Sequence, residues 1–200
     1  MSAVTFSENH NESLISFEAG APLVNTQDPH GEGLKWVYSL GAIPTSEVVV
    51  VGLGSGFHIA ALAEVDPHIK IRVVETRESL LRVFRSQFPE LKDRVEITIV
   101  QQAEDIFKTE CFQEVLATRP YVLSFQECWG QQGKTFATLF AHLTGRSVES
   151  VRYHFEEFGI NIKSTCNNLL SIHDLMPAIE ESAMVENKKQ VYRVLGELVR

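Results

Sequence analysis

The chain has 200 residues, enough for one domain with appendages and a sizeable core. Hydrophobic content of 44% and charged content of 22% belong to an ordinary globular protein. A formal charge of -8 disfavours nucleic acid as a partner, and no run of Lys and Arg marks a basic patch. Residues 1–12 lack the cationic start and apolar core of a signal peptide, and no apolar run reaches the length of a membrane span. Cys111, Cys128 and Cys166 are odd in number and far apart, which points to a reducing cytoplasm without disulfides. No Cys/His spacing matches a zinc site, so no metal is expected.

Residues 1–27 alternate weakly through Val4, Phe6, Ile15 and Phe17, which predicts a small hairpin turning near Asn9 and Asn11. Asp28-Pro29 reads as a helix start: Asp accepts from the first free amides, and Pro at the first helical position gives up no bond. This helix carries Leu34, Val37 and Tyr38 at helical spacing and ends near Gly41. The continuous apolar run at residues 47–51 predicts a central parallel strand covered on both faces. Glycines follow, then a helix with a broad apolar side through Phe57, Ile59, Ala60, Leu62 and Ala63.

Residues 69–74 form the next strand, and Thr76 is placed to cap a helix bearing Leu80, Leu81, Phe84 and Phe88. Val95, Ile97 and Ile99 alternate as a third strand, and residues 121–125 are a fourth. Beyond Gly130 the pattern turns helical. Phe136, Leu139, Phe140 and Leu143 share one stripe, with Gly145 as its end. Ser147 then caps a helix with Val148, Val151, Phe155 and Phe158 inward and Gly159 as its stop. A short extended piece is expected at 160–162. Residues 187–200 repeat the helical stripe through Val191, Val194, Leu195 and Leu198.

Strands alternating with helices predict an α/β fold with a Rossmann-like parallel sheet and a helical C-terminal extension. The expected division is a hairpin and lead-in helix over 1–46, a nucleotide-binding core over 47–145, and the extension over 146–200. The last helix is expected to pack on the domain, with a homodimer contact through the same apolar face as the lesser reading.

The segment Gly52-Leu53-Gly54-Ser55-Gly56-Phe57-His58 follows the buried strand and opens a helix. Gly52, Gly54 and Gly56 allow positive φ and let a ligand approach the main chain with no Cβ in the way. The helix N-terminus beyond them offers free amides and a positive dipole end. Glu75, at the tip of the next strand, is placed to accept both hydroxyls of a ribose. The spacing is Gly-x-Gly-x-Gly, with Phe57 where a dinucleotide fingerprint wants Gly or Ala, so a dehydrogenase is disfavoured. No Gly-Lys-Ser/Thr follows, so the turn is not a P-loop.

The five-residue form resembles the first motif of class I S-adenosylmethionine-dependent methyltransferases. Residues 94–107 resemble the third strand and loop of that fold, particularly in its spermidine synthase-like members. There an acidic residue reads the adenine amino group; here Gln102 stands in that place, and its amide oxygen can accept the same bond. The resemblance implies an S-adenosylmethionine cofactor, a nucleoside ligand held by Gly52, Gly54, Gly56, His58, Glu75 and Gln102, and transfer of a methyl or aminopropyl group. A second resemblance covers the first half of the chain. Thr26-Gln27-Asp28-Pro29, Gly33-Leu34-Lys35-Trp36 and residues 52–58 resemble the motility accessory factor family, linked to flagellin glycosylation with nonulosonic acids, whose central domain has a methyltransferase-like fold.

His58 reads equally as an acid/base or anion contact near the cofactor and as a capping or packing residue. At the end of the fourth strand stands Ser124-Phe125-Gln126-Glu127-Cys128-Trp129-Gly130, with no Asp-Pro-Pro-Tyr or Asn-Pro-Pro-Tyr pattern. Two readings remain there. Gln126 and Glu127 line the crevice with Trp129 as its cover, or the loop packs Trp129 on the C-terminal helices. Cys111 reads as buried packing, and Cys128 has no evident His or Asp partner for a nucleophile's role. No catalytic residue is identified. Two functions follow: an S-adenosylmethionine-binding protein acting on an unassigned acceptor, or a non-catalytic binding or assembly module linked to glycosylation or motility.

Overall fold

The computed structural model describes residues 3–160 and 172–198. Cys166, Arg200 and most of the extended piece expected at 160–162 lie outside the described residues. The chain divides into two compact units, Met1–Thr144 and Gly145–Arg200.

The first unit opens with the hairpin, β1 (Val4–Glu8) against β2 (Leu14–Glu18), with Val4 opposite Glu18 and Glu8 opposite Leu14. Asn9 closes its turn, because Oδ1 accepts from the amides of Asn11 (3.0 Å) and Ser13 (2.9 Å). The short β3 (Ala21–Pro22) adds a third antiparallel strand. Asp28 then caps α1 (Pro29–Ser39), accepting from the Gly31 amide at 2.9 Å. Val37 faces inward as expected, whereas Tyr38 is exposed, since the buried face of α1 runs through Pro29, Gly33 and Val37.

The main sheet contains β4 (Glu47–Val51), β5 (Lys70–Glu75), β6 (Val95–Ile99) and β7 (Tyr121–Ser124), all parallel, in the order β6-β5-β4-β7. By order of appearance that is third, second, first, fourth, the arrangement of a Rossmann-like half. The run Val48 to Val51 is fully buried because β4 is central and covered on both faces. The crossover helices are α2 (Phe57–Val65), α3 (Glu78–Gln87) and α4 (Glu110–Thr118), and α5 (Gly133–Leu143) follows β7. Thr109 caps α4 by accepting from the Phe112 amide at 3.2 Å. Thr76 does not cap α3, contrary to expectation. Its hydroxyl donates to Gln132 Oε1 at 2.6 Å, and Arg77 stands at the cap with no side-chain bond.

The second unit contains α6 (Val148–Glu157), α7 (Ile172–Glu181) and α8 (Glu186–Leu198). Ser147 caps α6 by accepting from the Ser150 amide at 3.0 Å. The buried cluster is Phe155, Ile160, Ile179 and Met184, while Val148 and Val151 are exposed rather than inward. The stripe Val191, Val194, Leu195 and Leu198 is exposed as well, because α8 buries Gly196 and half-buries Tyr192 and Arg193 instead. Arg193 ties α8 to α7 through Glu180 at 2.6 Å. None of the described helices is long and apolar enough to cross a membrane.

Two glycines test the packing in opposite senses. A Cβ on Gly33 would lie 2.9 Å from the Phe57 carbonyl oxygen and 3.0 Å from His58 Cα, both backbone atoms of α2, whereas one on Gly133 meets nothing within 4 Å. Gly33→Ala is expected to destabilise by about 1–3 kcal/mol through overpacking. Gly133→Ala, at the start of α5, is expected to be neutral or to stabilise by up to about 1 kcal/mol. Urea unfolding midpoints of the two variants measure both signs.

Candidate functional site

The carboxyl edge of β4 and β5 gathers most of the residues singled out in the sequence. The Gly52 amide extends the sheet ladder by donating to Val74 O at 2.9 Å. Gly52 and Gly54 then take φ of 101° and 51°, a path that L side chains resist, and Gly56 precedes the first turn of α2. The Ser55 hydroxyl accepts from the Ser16 amide at 2.9 Å, so β2 of the hairpin grips the turn.

The close approach that the glycines permit is made by the chain itself. A Cβ on Gly52 would lie 2.6 Å from Cys128 Sγ and 2.9 Å from Trp129 Cδ1. One on Gly54 would lie 2.5 Å from Cys128 Cβ and 3.3 Å from Leu23 O. Cys128 and Trp129 belong to the 3-10 segment Gln126–Gln132 that follows β7. Trp129 Nε1 donates to Val51 O at 2.8 Å, and its indole stacks on Phe136 of α5 at 5.9 Å. Trp129 therefore lies over the turn while packing on the helix that follows it, so neither sequence reading holds whole. Gln126 and Glu127 are exposed and do not join it.

Glu75 is fully buried, and both of its oxygens are engaged. Oε1 accepts from the amides of Thr76 (2.7 Å) and Arg77 (3.0 Å) and from Arg77 Nε (2.9 Å). Oε2 accepts from the Leu53 amide (2.8 Å) and from Arg77 Nη2 (3.0 Å). Arg77 also donates to Cys128 O at 2.9 Å and lies 3.4 Å from Glu18 Oε2. Glu18, buried on β2, accepts from the Gln131 amide (2.9 Å) and Gln132 Nε2 (3.1 Å). Burial acts most strongly on Arg77 and opposes its charge, but Glu75 outweighs it and raises the pKa above the usual arginine value. The hairpin, the tip of β5 and the segment over the glycines thus share one buried charged network.

His58 is buried in α2, with Nε2 3.1 Å from Gly52 O and its ring stacked on Phe125 at 4.6 Å and set edge-on to Trp36 at 5.5 Å. Burial, only partly offset by the Gly52 carbonyl, lowers its pKa to about 4. A neutral ring donating to Gly52 is a packing and positioning role, one of the two expected for it. Gln102 is exposed and caps the 3-10 helix Ala103–Lys108, exchanging bonds with Asp105. Burial first, and then the Glu75 carboxylate, push the Cys128 thiol well above its usual value, which keeps it protonated and unreactive. Among the described residues, no group of three or more His, Cys, Asp or Glu is arranged to hold a metal.

Sequence reasoning missed Arg77 and Glu18. Arg77 stands two residues beyond Glu75, a spacing that permits a return contact, but no sequence signal joins Glu18 to either.

No known protein-family profile matches the chain, and no curated protein matches it. Among solved structures it is similar to the MAf glycosyltransferase from Magnetospirillum magneticum AMB-1, at 14% identity and a TM-score of 0.43. That match covers 86% of this chain and 33% of the other, so the chain spans about a third of that protein's length. The fold assignment rests on the strand order, independently of this likeness.

The buried His58 carries a pH signature. Its pKa is 6.5 in the ordinary state and about 4 when folded, so the unfolded chain binds the extra proton between those values. Its contribution is intact above pH 6.5 and is lost as pH falls toward 4, by up to about 3 kcal/mol. Unfolding free energies of the wild type and His58→Gln across this window are expected to converge toward low pH, since only the wild type carries that slope.

Proposed function

We propose that this chain is a non-catalytic Rossmann-like module, a binding or assembly domain whose nucleotide-type crevice is occupied by its own side chains. The observation that carries this reading is the contact of Cys128 and Trp129 with Gly52 and Gly54. The engagement of both Glu75 oxygens by Leu53, Thr76 and Arg77 supports it. A ribose needs a carboxylate with free acceptor capacity, and a pyrophosphate or sulfonium nucleoside needs open space beside the glycines. The resemblance of residues 26–58 to motility accessory factors supports a setting in glycosylation or motility.

The second reading, S-adenosylmethionine binding with methyl transfer to an unassigned acceptor, is favoured by the backbone of the turn. Positive φ at Gly52, Gly54 and Gly56, the N-terminus of α2 and an acid at the tip of β5 are the recurring parts of such a site. It requires Gln126–Gln132 to withdraw and Glu75 to give up bonds that hold the turn. Methyl transfer from a sulfonium needs chiefly in-line positioning, so a missing acid/base pair does not count against it.

Calorimetric titration with S-adenosylmethionine, S-adenosylhomocysteine and NAD discriminates between them. The closed module gives no saturable heat with any of the three up to about 1 mM, a limit near the weak end of specific binding. Saturation by the first two but not by NAD contradicts the closed-module reading and supports the binding part of the second.

A further inference from the structure

We infer that a groove at the amino ends of β5 and β6 is a binding site for a phosphate group, independent of the glycine turn. The groove is open to solvent, has a volume of about 540 Å³ and is lined by residues 67–70, 92–96 and Arg85. Because β4, β5 and β6 are parallel, these residues stand at the opposite edge of the sheet from Gly52 and Glu75.

The arginines here differ from three that are held by carboxylates. Arg72, Arg77 and Arg193 are each paired with carboxylates. Arg94 instead donates to two main-chain carbonyls beside the end of α2, Ala63 O at 3.2 Å and Asp66 O at 3.1 Å. Arg85 donates to Lys92 O at 2.7 Å. Carbonyls hold a guanidinium in place without cancelling its formal charge, and each arginine keeps further N–H donors to offer.

Within the groove Lys70 is paired with Glu47, and Glu96 with Arg72. Among the described residues Arg85, Lys92, Arg94 and Asp93 form no ion pair. The Lys70 and Glu96 pairs belong to one cluster, Lys70 and Arg72 with Glu47, Glu96 and Glu114, of net -1; added to the +2 of Arg85, Lys92, Arg94 and Asp93 it leaves the groove and its paired neighbours at +1, on a protein whose net charge is -8. A phosphate group supplies negative charge and three acceptor oxygens for donors fixed on separate segments, more acceptors than a single carboxylate offers. His68 also lines the groove. The sequence hides this site because its basic residues are scattered from 68 to 94 and never form a run.

Titration of the full chain with pyrophosphate at low salt tests the site. Lys92 is exposed and its side chain forms no hydrogen bond or ion pair among the described residues, so Lys92→Glu leaves the fold intact, and Lys134→Glu on α5 is a charge-matched control. Saturable binding is expected, weakened about tenfold or more by Lys92→Glu, as loss and reversal of a charge contact requires, and unchanged by Lys134→Glu. Vesicles of phosphatidylcholine with phosphatidic acid distinguish the source. Retention competed away by pyrophosphate marks a lipid phosphate, and no retention marks a soluble one. Absence of saturation at about 10 mM pyrophosphate, a concentration weaker than any specific phosphate site needs, overturns the inference. Equal weakening by both variants overturns it too.

Discussion

The Arg77 guanidinium is the contact on which the closed carboxyl edge depends. It pairs with Glu75 through two nitrogens, reaches Glu18 of the hairpin, and donates to the carbonyl of Cys128. It also lies over the Phe136 ring at 5.1 Å. A buried ion pair contributes little net stability over an apolar replacement, but removing one partner strands the other charge, at about 3–5 kcal/mol. The network therefore acts mainly on specificity of arrangement. It fixes which surface of the hairpin and which loop lie against the glycines, and its amide donors come from three separate segments.

That arrangement changes the meaning of a familiar pattern. Glycines after a central strand and an acid at the next strand tip are read as a ligand cradle because both remove obstacles and supply acceptors. The same properties serve internal closure. Gly52 and Gly54 admit Cys128 and Trp129, and Glu75 satisfies the Leu53 amide that a bare turn would leave open. Nothing in the local sequence distinguishes the two uses, since both need small residues and a carboxylate at the same places.

The fold was legible where the signal is local. The Asp28 cap, the Asn9 turn, the valine run of β4 and the Ser147 cap all follow from side-chain chemistry within four residues. The alternation of strands and helices then leads to the parallel sheet. Misread positions are those decided by distant partners. Thr76 is drawn from the helix cap by Gln132, more than fifty residues on, and Glu18 reaches across more than a hundred to Gln131. The stripe on α8 has the period of a buried face, yet period alone does not say which face a small helical unit buries. His58 could not be assigned by sequence because its role depends on Phe125 and Trp36, brought in by other elements.

A crevice closed in the folded state differs from one transiently covered in its native-state hydrogen exchange, which reads the difference directly. The Leu53 amide bonded to Glu75 and the Trp129 indole N–H bonded to Val51 O report the two halves of the closure. If the closure is part of the fold, both exchange only through global unfolding, at the free energy shown by the amides of β4. Exchange of Leu53 and Trp129 within minutes, while the β4 amides stay protected, would contradict the account and show a crevice that opens on its own.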